Sequence, residues 1–523
     1  MGFNIIEKTI KKKKTMNNSR TKNAMLNIVF SLILQIVIFA KGLILPRIII
    51  PAYGSDVNGL ISSITQFLTY ISLLEAGVGS IFRASLYKPL SKGDMDDVSG
   101  IINEQKRFYR KIGIIFVFYV VALCACYPFI AKTDISKPYI ISLILILSVS
   151  TFAEYFISLP YSSLLSADQK IRVSYIVSII YTVVNIFVAL FWVSLKADIR
   201  LIYLSMCIIG LLRPLFYVLY VKKHYKLDKK AKLNKTALNQ RWNGMVHHFA
   251  YYIHTNTAAA ILTIFVGTAM VSVYNVYGAI IFGMEKVITS ISTGVAAGIG
   301  NLIESKDQEQ INRTVNQFEL VQGGLATVLY TITGLLLIPF IKIYTVNMTD
   351  MNYIQPTFGY ILIIAEAIYC FRCIYSTVST NANKFKETQL GAILECVVNL
   401  GISLVLVIAF KMGLLGVAIG TVFGMLIRYI FELMFLSKNV LYRSPLKAVK
   451  MFLVSFSATL TSIILCHLIM DYNSINTFGL WVLYGVITAI IVGTISLILY
   501  VIFYKDTIKL IVKRIRKNRI SGD

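Results

Sequence analysis

Apolar runs of about 20 residues recur along this chain from Met25 to Tyr504, separated only by short polar stretches. A run of that length crosses a hydrocarbon core roughly 30 Å thick as a helix rising about 1.5 Å per residue. Fourteen runs can be delimited, at about 25–49, 57–81, 112–131, 138–163, 173–195, 200–221, 244–266, 271–300, 316–343, 354–380, 389–410, 414–437, 448–470 and 478–503. Their continuity predicts helices, because the strands of a membrane barrel read as alternating segments of about ten residues. The expected fold class is an all-α polytopic membrane protein with about 14 transmembrane helices. The first run lacks a small-residue cleavage pattern, so it is expected to be retained.

The pattern repeats. Residues 166–185, "SADQKIRVSYIVSIIYTVVN", align without a gap on residues 380–399, "TNANKFKETQLGAILECVVN". Lys170 matches Lys384, Arg172 matches Lys386, and Asn185 matches Asn399. The copies open the fifth and eleventh runs, so an even number of crossings separates them and both enter from the same side. That predicts parallel repeats, two six-helix bundles of the kind that rock against one another in transporters. The expected organisation is a basic cytoplasmic tail at 1–24, a bundle at 25–221, a basic linker at 222–243, a bundle at 244–437, accessory helices at 438–503 and a basic tail at 504–523.

Composition agrees. Of 523 residues, 57% are hydrophobic and only 15% charged, against about 25% in soluble domains. The net charge of +26 could suggest a nucleic-acid partner, but its distribution argues against one. If the N-terminus is cytoplasmic, 38 of the 51 Lys and Arg lie in inward segments, and six lie outside: Lys132, Lys137, Lys196, Arg200, Lys342 and Lys411. This positive-inside bias predicts a multi-pass membrane protein with both termini in the cytoplasm. Runs such as Lys11 to Lys14 then read as topology signals, compatible with contact to anionic lipid. The seven cysteines include Cys370 and Cys373, which are expected to be buried thiols rather than a metal or redox pair.

Charges inside the runs are costly and should face the bundle interior or a wet cavity. Arg428 and Glu432, four residues apart, are expected to neutralise one another. Arg83 and Glu395 lie near an inner end and are expected to snorkel. His247, Tyr251 and His254 recur at helical spacing and predict a polar cavity wall. The substrate-binding candidates are Lys41, Arg47, Arg213, His247, Tyr251, His254, Lys286 and Arg372. The ion-coupling candidates are Glu75, Glu154, Glu285 and Glu366. No catalytic residue, metal site or cofactor is expected. A cationic cavity implies an anionic substrate, with phosphate the best match to Lys and Arg. Pro46 is expected to break the helix between Lys41 and Arg47. Gly416, Gly420 and Gly424, like Gly294, Gly298 and Gly300, read as packing or hinge positions. No nucleotide-binding loop ends in Lys-Ser or Lys-Thr, so transport would draw on substrate supply, the membrane potential or an ion gradient, with H+ or Na+ as the coupling ion.

The stretch "LPRIIIPAYGSDVNGLISSITQFLTYISLLEAGVG", with Arg47, Pro51, Tyr53 and Gly54, resembles the opening of polysaccharide flippases of the multidrug, oligosaccharidyl-lipid and polysaccharide exporter superfamily. Residues 381–424, with a basic turn, Asn399 and then Gly413, Gly416 and Ala418, resemble the C-terminal half of that family. The chain departs at Ile48, Ile49 and Ile50, where the family more often has Leu-Gly. The resemblance implies a V-shaped transporter that moves a polyprenyl-pyrophosphate-linked oligosaccharide across a bacterial inner membrane by alternating access, for O-antigen or capsule synthesis. It further implies undecaprenyl pyrophosphate as the carrier and a polysaccharide polymerase and chain-length machinery as partners. Two relatives of the same fold stay open, a cation-coupled drug or metabolite antiporter and a peptidoglycan-precursor flippase. A membrane polymerase or glycosyltransferase is the reading from another class, disfavoured because the outward loops are short.

Overall fold

Each long apolar run becomes a helix because a backbone in hydrocarbon must satisfy its own hydrogen bonds. The computed structural model describes residues 2–75, 78–231, 252, 256–305 and 307–520. Among these are thirteen helical segments long and apolar enough to cross a membrane, plus a shorter one, Asn256–Val266. The expected run at 244–266 is described only in part, and His247, Tyr251 and His254 lie outside the described residues. The chain divides into two compact units, residues 1–248 and 249–523.

The first unit contains α1 (Gly2–Tyr53), α2 (Ser55–Thr69, continued by a 3-10 turn at Tyr70–Leu74), α3 (Val78–Lys92) and α4 (Met95–Ile130). It continues with α5 (Lys137–Ala153), a π turn at Glu154–Ser158, α6 (Leu159–Ala167), α7 (Arg172–Ser194), α8 (Ile199–Gly210) and α9 (Leu212–His224). The second contains α10 (Asn256–Val266, ending in a π turn), α11 (Thr268–Ser305), α12 (Gln308–Tyr344), α13 (Pro356–Asn381), α14 (Phe385–Ile408) and α15 (Gly413–Asn439). The last two helices, α16 (Leu446–Ile469) and α17 (Phe478–Ile520), belong to this unit.

Two expectations are corrected. The helix does not break at Pro46; α1 runs through Pro46 and Pro51 to Tyr53. Six residues on a continuous helix set Lys41 and Arg47 about 120° apart, and Lys41 is half-buried while Arg47 is exposed. The second run ends at Leu74, so Arg83 belongs to the separate helix α3, where it is exposed.

The repeat is written into the backbone. Asp168, Gln169 and Lys170 donate their N–H groups to the carbonyls of Leu164, Ser166 and Leu165. Ala382, Asn383 and Lys384 donate to Val378, Thr380 and Ser379, each pair 214 residues further on. Gln169 and Asn383 both take left-handed angles, φ 57° and 59°. At the other end of α7 and α14, Lys196 and Lys411 do the same, φ 52° and 54°. Asp94 and Asp307 cap α4 and α12 alike, accepting from the backbone N–H of Asp97 and Gln310, each at 3.0 Å. Gly54 and Gly267, φ 90° and 144°, precede α2 and α11, and both sit where only glycine turns easily.

Two side chains hold α1 against the turns that flank α7. Asn27 donates to the Gln169 carbonyl and accepts from the Arg172 N–H, both at 3.0 Å. At the far end the Tyr53 hydroxyl donates to the Ala197 carbonyl at 2.5 Å. Beside the turn before α7 Lys170 pairs with Asp168 at 2.7 Å, and the Tyr225 hydroxyl donates to Asp168 at 2.5 Å. Burial, then Asp168, pushes that hydroxyl above the usual tyrosine range.

In the second unit Gly416, Gly420 and Gly424 bring α15 onto α14. A Cβ on Gly420 would overlap the Ser403 hydroxyl, and one on Gly424 would lie 3.0 Å from the Glu395 carbonyl. That closeness lets Arg428 reach Glu395 at 2.5 Å and Glu432 at 2.8 Å. Arg372 of α13 completes the cluster, with Ser376 at 2.9 Å and Glu432 at 3.5 Å. All four charges are buried. Glu395 therefore does not snorkel; the close helix contact places it against Arg428. Helices α16 and α17 join α12 through Thr331 with Thr459 and through Tyr500 with Thr327, both at 2.9 Å, and Trp481 donates to the Leu336 carbonyl at 3.1 Å.

Two outcomes follow. Gly420→Leu should cost roughly 1–3 kcal/mol or more through overpacking, read as a lowered melting temperature of the purified protein in detergent. Arg428→Met takes the arginine from buried Glu395 and leaves Glu432 only Arg372 as counter-charge, and should cost roughly 3–5 kcal/mol, seen as loss of the folded peak on size exclusion. Unchanged melting in either variant would contradict this packing.

Candidate functional site

Arg428 has a counterpart. The left-handed turn at Lys196 and Lys411 is 215 residues apart, and the same spacing carries Arg213 of α9 onto Arg428 of α15. Tyr181 of α7 aligns with Glu395, Tyr217 with Glu432, and Ser158 with Arg372. The second unit fills these places with two arginines and two glutamates. The first keeps only the arginine. Its opposing places hold two tyrosines and a serine, which neutralise nothing.

Local backbone irregularity places the remaining partner. Pro214 cannot donate to Gly210, and α8 gives way to α9 just before Arg213. The π turn begins at Glu154, a feature often found where function needs a side chain re-aimed. Glu154 then meets Arg213 at 3.4 Å, with both side chains partly exposed, 45% and 27%. The guanidinium also lies 5.8 Å from the centre of the Tyr181 ring. Gly210 sits between, and a Cβ there would come within 3.3 Å of the Ser150 and Tyr181 hydroxyls.

Lys41 lies within electrostatic reach of Arg213 and of Cys207. Arg213 thus meets one carboxylate at contact distance, with the amine of Lys41 nearby in the same membrane-spanning unit. A half-exposed cationic pair with incomplete compensation can accept an anion, and a guanidinium suits a phosphate in two-point contact. Glu75, within reach of Glu154, is engaged by the Tyr109 hydroxyl at 2.6 Å.

The other candidates separate by surroundings. Arg47 lies exposed beyond Lys41 on α1. Glu285 and Lys286 pair at 2.9 Å, Glu285 being buried and Lys286 half exposed. Glu366 is buried on α13 within electrostatic reach of Glu285, Lys286 and Arg372. The structure therefore gathers Lys41, Glu154 and Arg213 in the first unit, and Glu285, Lys286, Glu366 and Arg372 in the second. Arg372 is committed to Glu432, Ser376 and the Tyr369 ring at 4.8 Å. Among the described residues no cluster of His, Cys, Asp or Glu has metal-binding geometry, and Cys370 is a buried thiol beside Tyr330.

Residue-by-residue reading missed Tyr181, Ser150 and the Tyr109 partner of Glu75. Tyr181 stands opposite Glu395 in the aligned repeat, and that mismatch was the available signal.

No protein-family model and no curated protein sequence matches the chain. Solved structures match by fold. The lipid II flippase MurJ, in an inward closed conformation, matches with a TM-score of 0.69 and 16% identity, over 92% of this chain and all of that one. An inward-facing multidrug resistance MATE family transporter of the MOP superfamily matches with a TM-score of 0.62 and 14% identity, over 77% of this chain and 95% of that one. An outward-facing transporter of that description gives 0.57 and 13%, over 80% and 94%. The chain is a multi-pass integral membrane protein with the fold of MOP-superfamily transporters and flippases.

Proposed function

We propose that this protein is a flippase that carries a polyprenyl-pyrophosphate-linked oligosaccharide from the cytoplasmic to the outer face of a bacterial inner membrane. The carrying observation is the undercompensated pair Lys41 and Arg213, whose repeat counterpart Arg428 is fully neutralised. A transporter of apolar cations would gain from carboxylates at that place; an anionic head group gains from having fewer of them, Glu154 alone meeting Arg213 where two glutamates meet Arg428. Lys286 and Arg47 are proposed as further contacts, and Glu75, Glu154, Glu285 and Glu366 as sites for a coupling H+ or Na+. The positive-inside distribution supports cytoplasmic termini. Delivery to a polymerase and its chain-length machinery, for O-antigen or capsule, is part of the same proposal.

A second reading is a peptidoglycan-precursor flippase. It is favoured by the match to a lipid II flippase over 92% of this chain, against 77% and 80% for the two multidrug transporters. The two readings share the pyrophosphate and differ in the sugar.

Deletion of the gene should deplete surface polysaccharide and accumulate the lipid-linked oligosaccharide facing the cytoplasm. Normal polysaccharide without accumulation contradicts the proposal, and lethality relieved by another lipid II flippase favours the second reading. Hydrogen bonds to a charged group are worth about 1.5–3 kcal/mol, so Arg213→Gln should lower complementation about 10- to 100-fold. Protein abundance in the membrane should stay unchanged, because Arg213 is partly exposed.

A further inference from the structure

The last helix bends where it leaves the membrane run. Tyr504 has non-helical angles, φ −130° and ψ 28°. Lys450 of α16 donates to the carbonyl of Phe503 at 3.3 Å, and its ammonium lies 6.0 Å and 5.2 Å from the centres of the Phe503 and Tyr504 rings. Around this bend a cavity of ≈ 250 Å³ opens between α12, α16 and α17.

Its walls are unevenly charged. Lys447, Lys450 and Lys505 line it, against Glu319 and Asp506. Glu319 is already engaged, by Arg443 and by the Tyr375 hydroxyl at 2.6 Å. Only Asp506 remains to balance three ammonium groups. Among the described residues the Tyr504 hydroxyl, buried in the same wall, has no hydrogen-bond partner. An exposed apolar side chain, Phe503 of α17, 48% exposed, belongs to the lining, as do Leu320 and Met451. The cavity thus joins a basic pocket to a greasy helix surface at the end of the unit that holds the basic C-terminal stretch.

We propose that this cavity binds the head group of an anionic glycerophospholipid. Its phosphate sits among Lys447, Lys450 and Lys505, with Tyr504 as a neutral donor, and its acyl chains leave past Phe503. Basic pockets between membrane helices on the cytoplasmic side bind such head groups. The site is separate from the Lys41 and Arg213 cluster and independent of the flipped substrate. Occupancy ties α16 and the bent end of α17 to α12.

Native mass spectrometry of the full chain from detergent, with phosphatidylglycerol or phosphatidylcholine added, tests this. The wild type should retain one phosphatidylglycerol selectively. Each lysine near an anionic head group is worth about fivefold, so the combined Lys447→Ala, Lys450→Ala and Lys505→Ala variant should lose about a hundredfold in retention. Asp506→Asn should raise retention several-fold. Equal retention by wild type and triple variant would overturn the proposal. So would displacement by millimolar inorganic phosphate without selectivity between the two lipids, which assigns the cavity to a soluble phosphate.

Discussion

A charge placed in hydrocarbon must find a counter-charge, reach water or be neutralised, and the interior of this protein is organised by that constraint. The second unit obeys it by closure: Arg428, Arg372, Glu395 and Glu432 form a buried, balanced cluster. The close approach of α14 and α15 along Gly416, Gly420 and Gly424 makes the closure possible. Where the first unit repeats the geometry, tyrosines and a serine replace three of the four charged residues, and Arg213 meets only Glu154, itself 45% exposed. One backbone plan thus yields a structural ion cluster in one half and a candidate anion site in the other.

The same repeat explains the motif near Tyr53. Tyr53 ties the end of α1 to the turn before α8, and Gly54 supplies the positive φ from which α2 starts. Asn27 ties the start of the membrane-length part of α1 to the turn before α7. Tyr53 and Gly54 read in sequence as part of a family resemblance, and in the fold they are joints, as is Asn27. Arg47, within that resemblance, is exposed.

Much of the architecture was legible in the sequence, because apolar runs of membrane length leave helix as the economical reading. The repeat was legible too, since Lys170, Arg172 and Asn185 recur in register. The ends of elements were not: α1 continues through Pro46 despite the hydrogen bond lost there, because Asn27 and Tyr53 hold the helix on either side of it. Glu395 was misread as snorkelling because its partner lies 33 residues away on the next helix. The site was half legible. The charges could be named, but which of them are neutralised depends on helix packing, and only the comparison of Arg213 with Arg428 separates an available cation from a committed one.

The central claim is that Lys41 and Arg213 form the anion-binding part of the first unit. Titration of the purified protein with a short-chain polyprenyl pyrophosphate, followed by intrinsic fluorescence or calorimetry, tests it most directly. The account predicts saturable binding that weakens about 10- to 100-fold in Arg213→Gln, with the melting temperature preserved. Binding of equal strength in wild type and Arg213→Gln would contradict it.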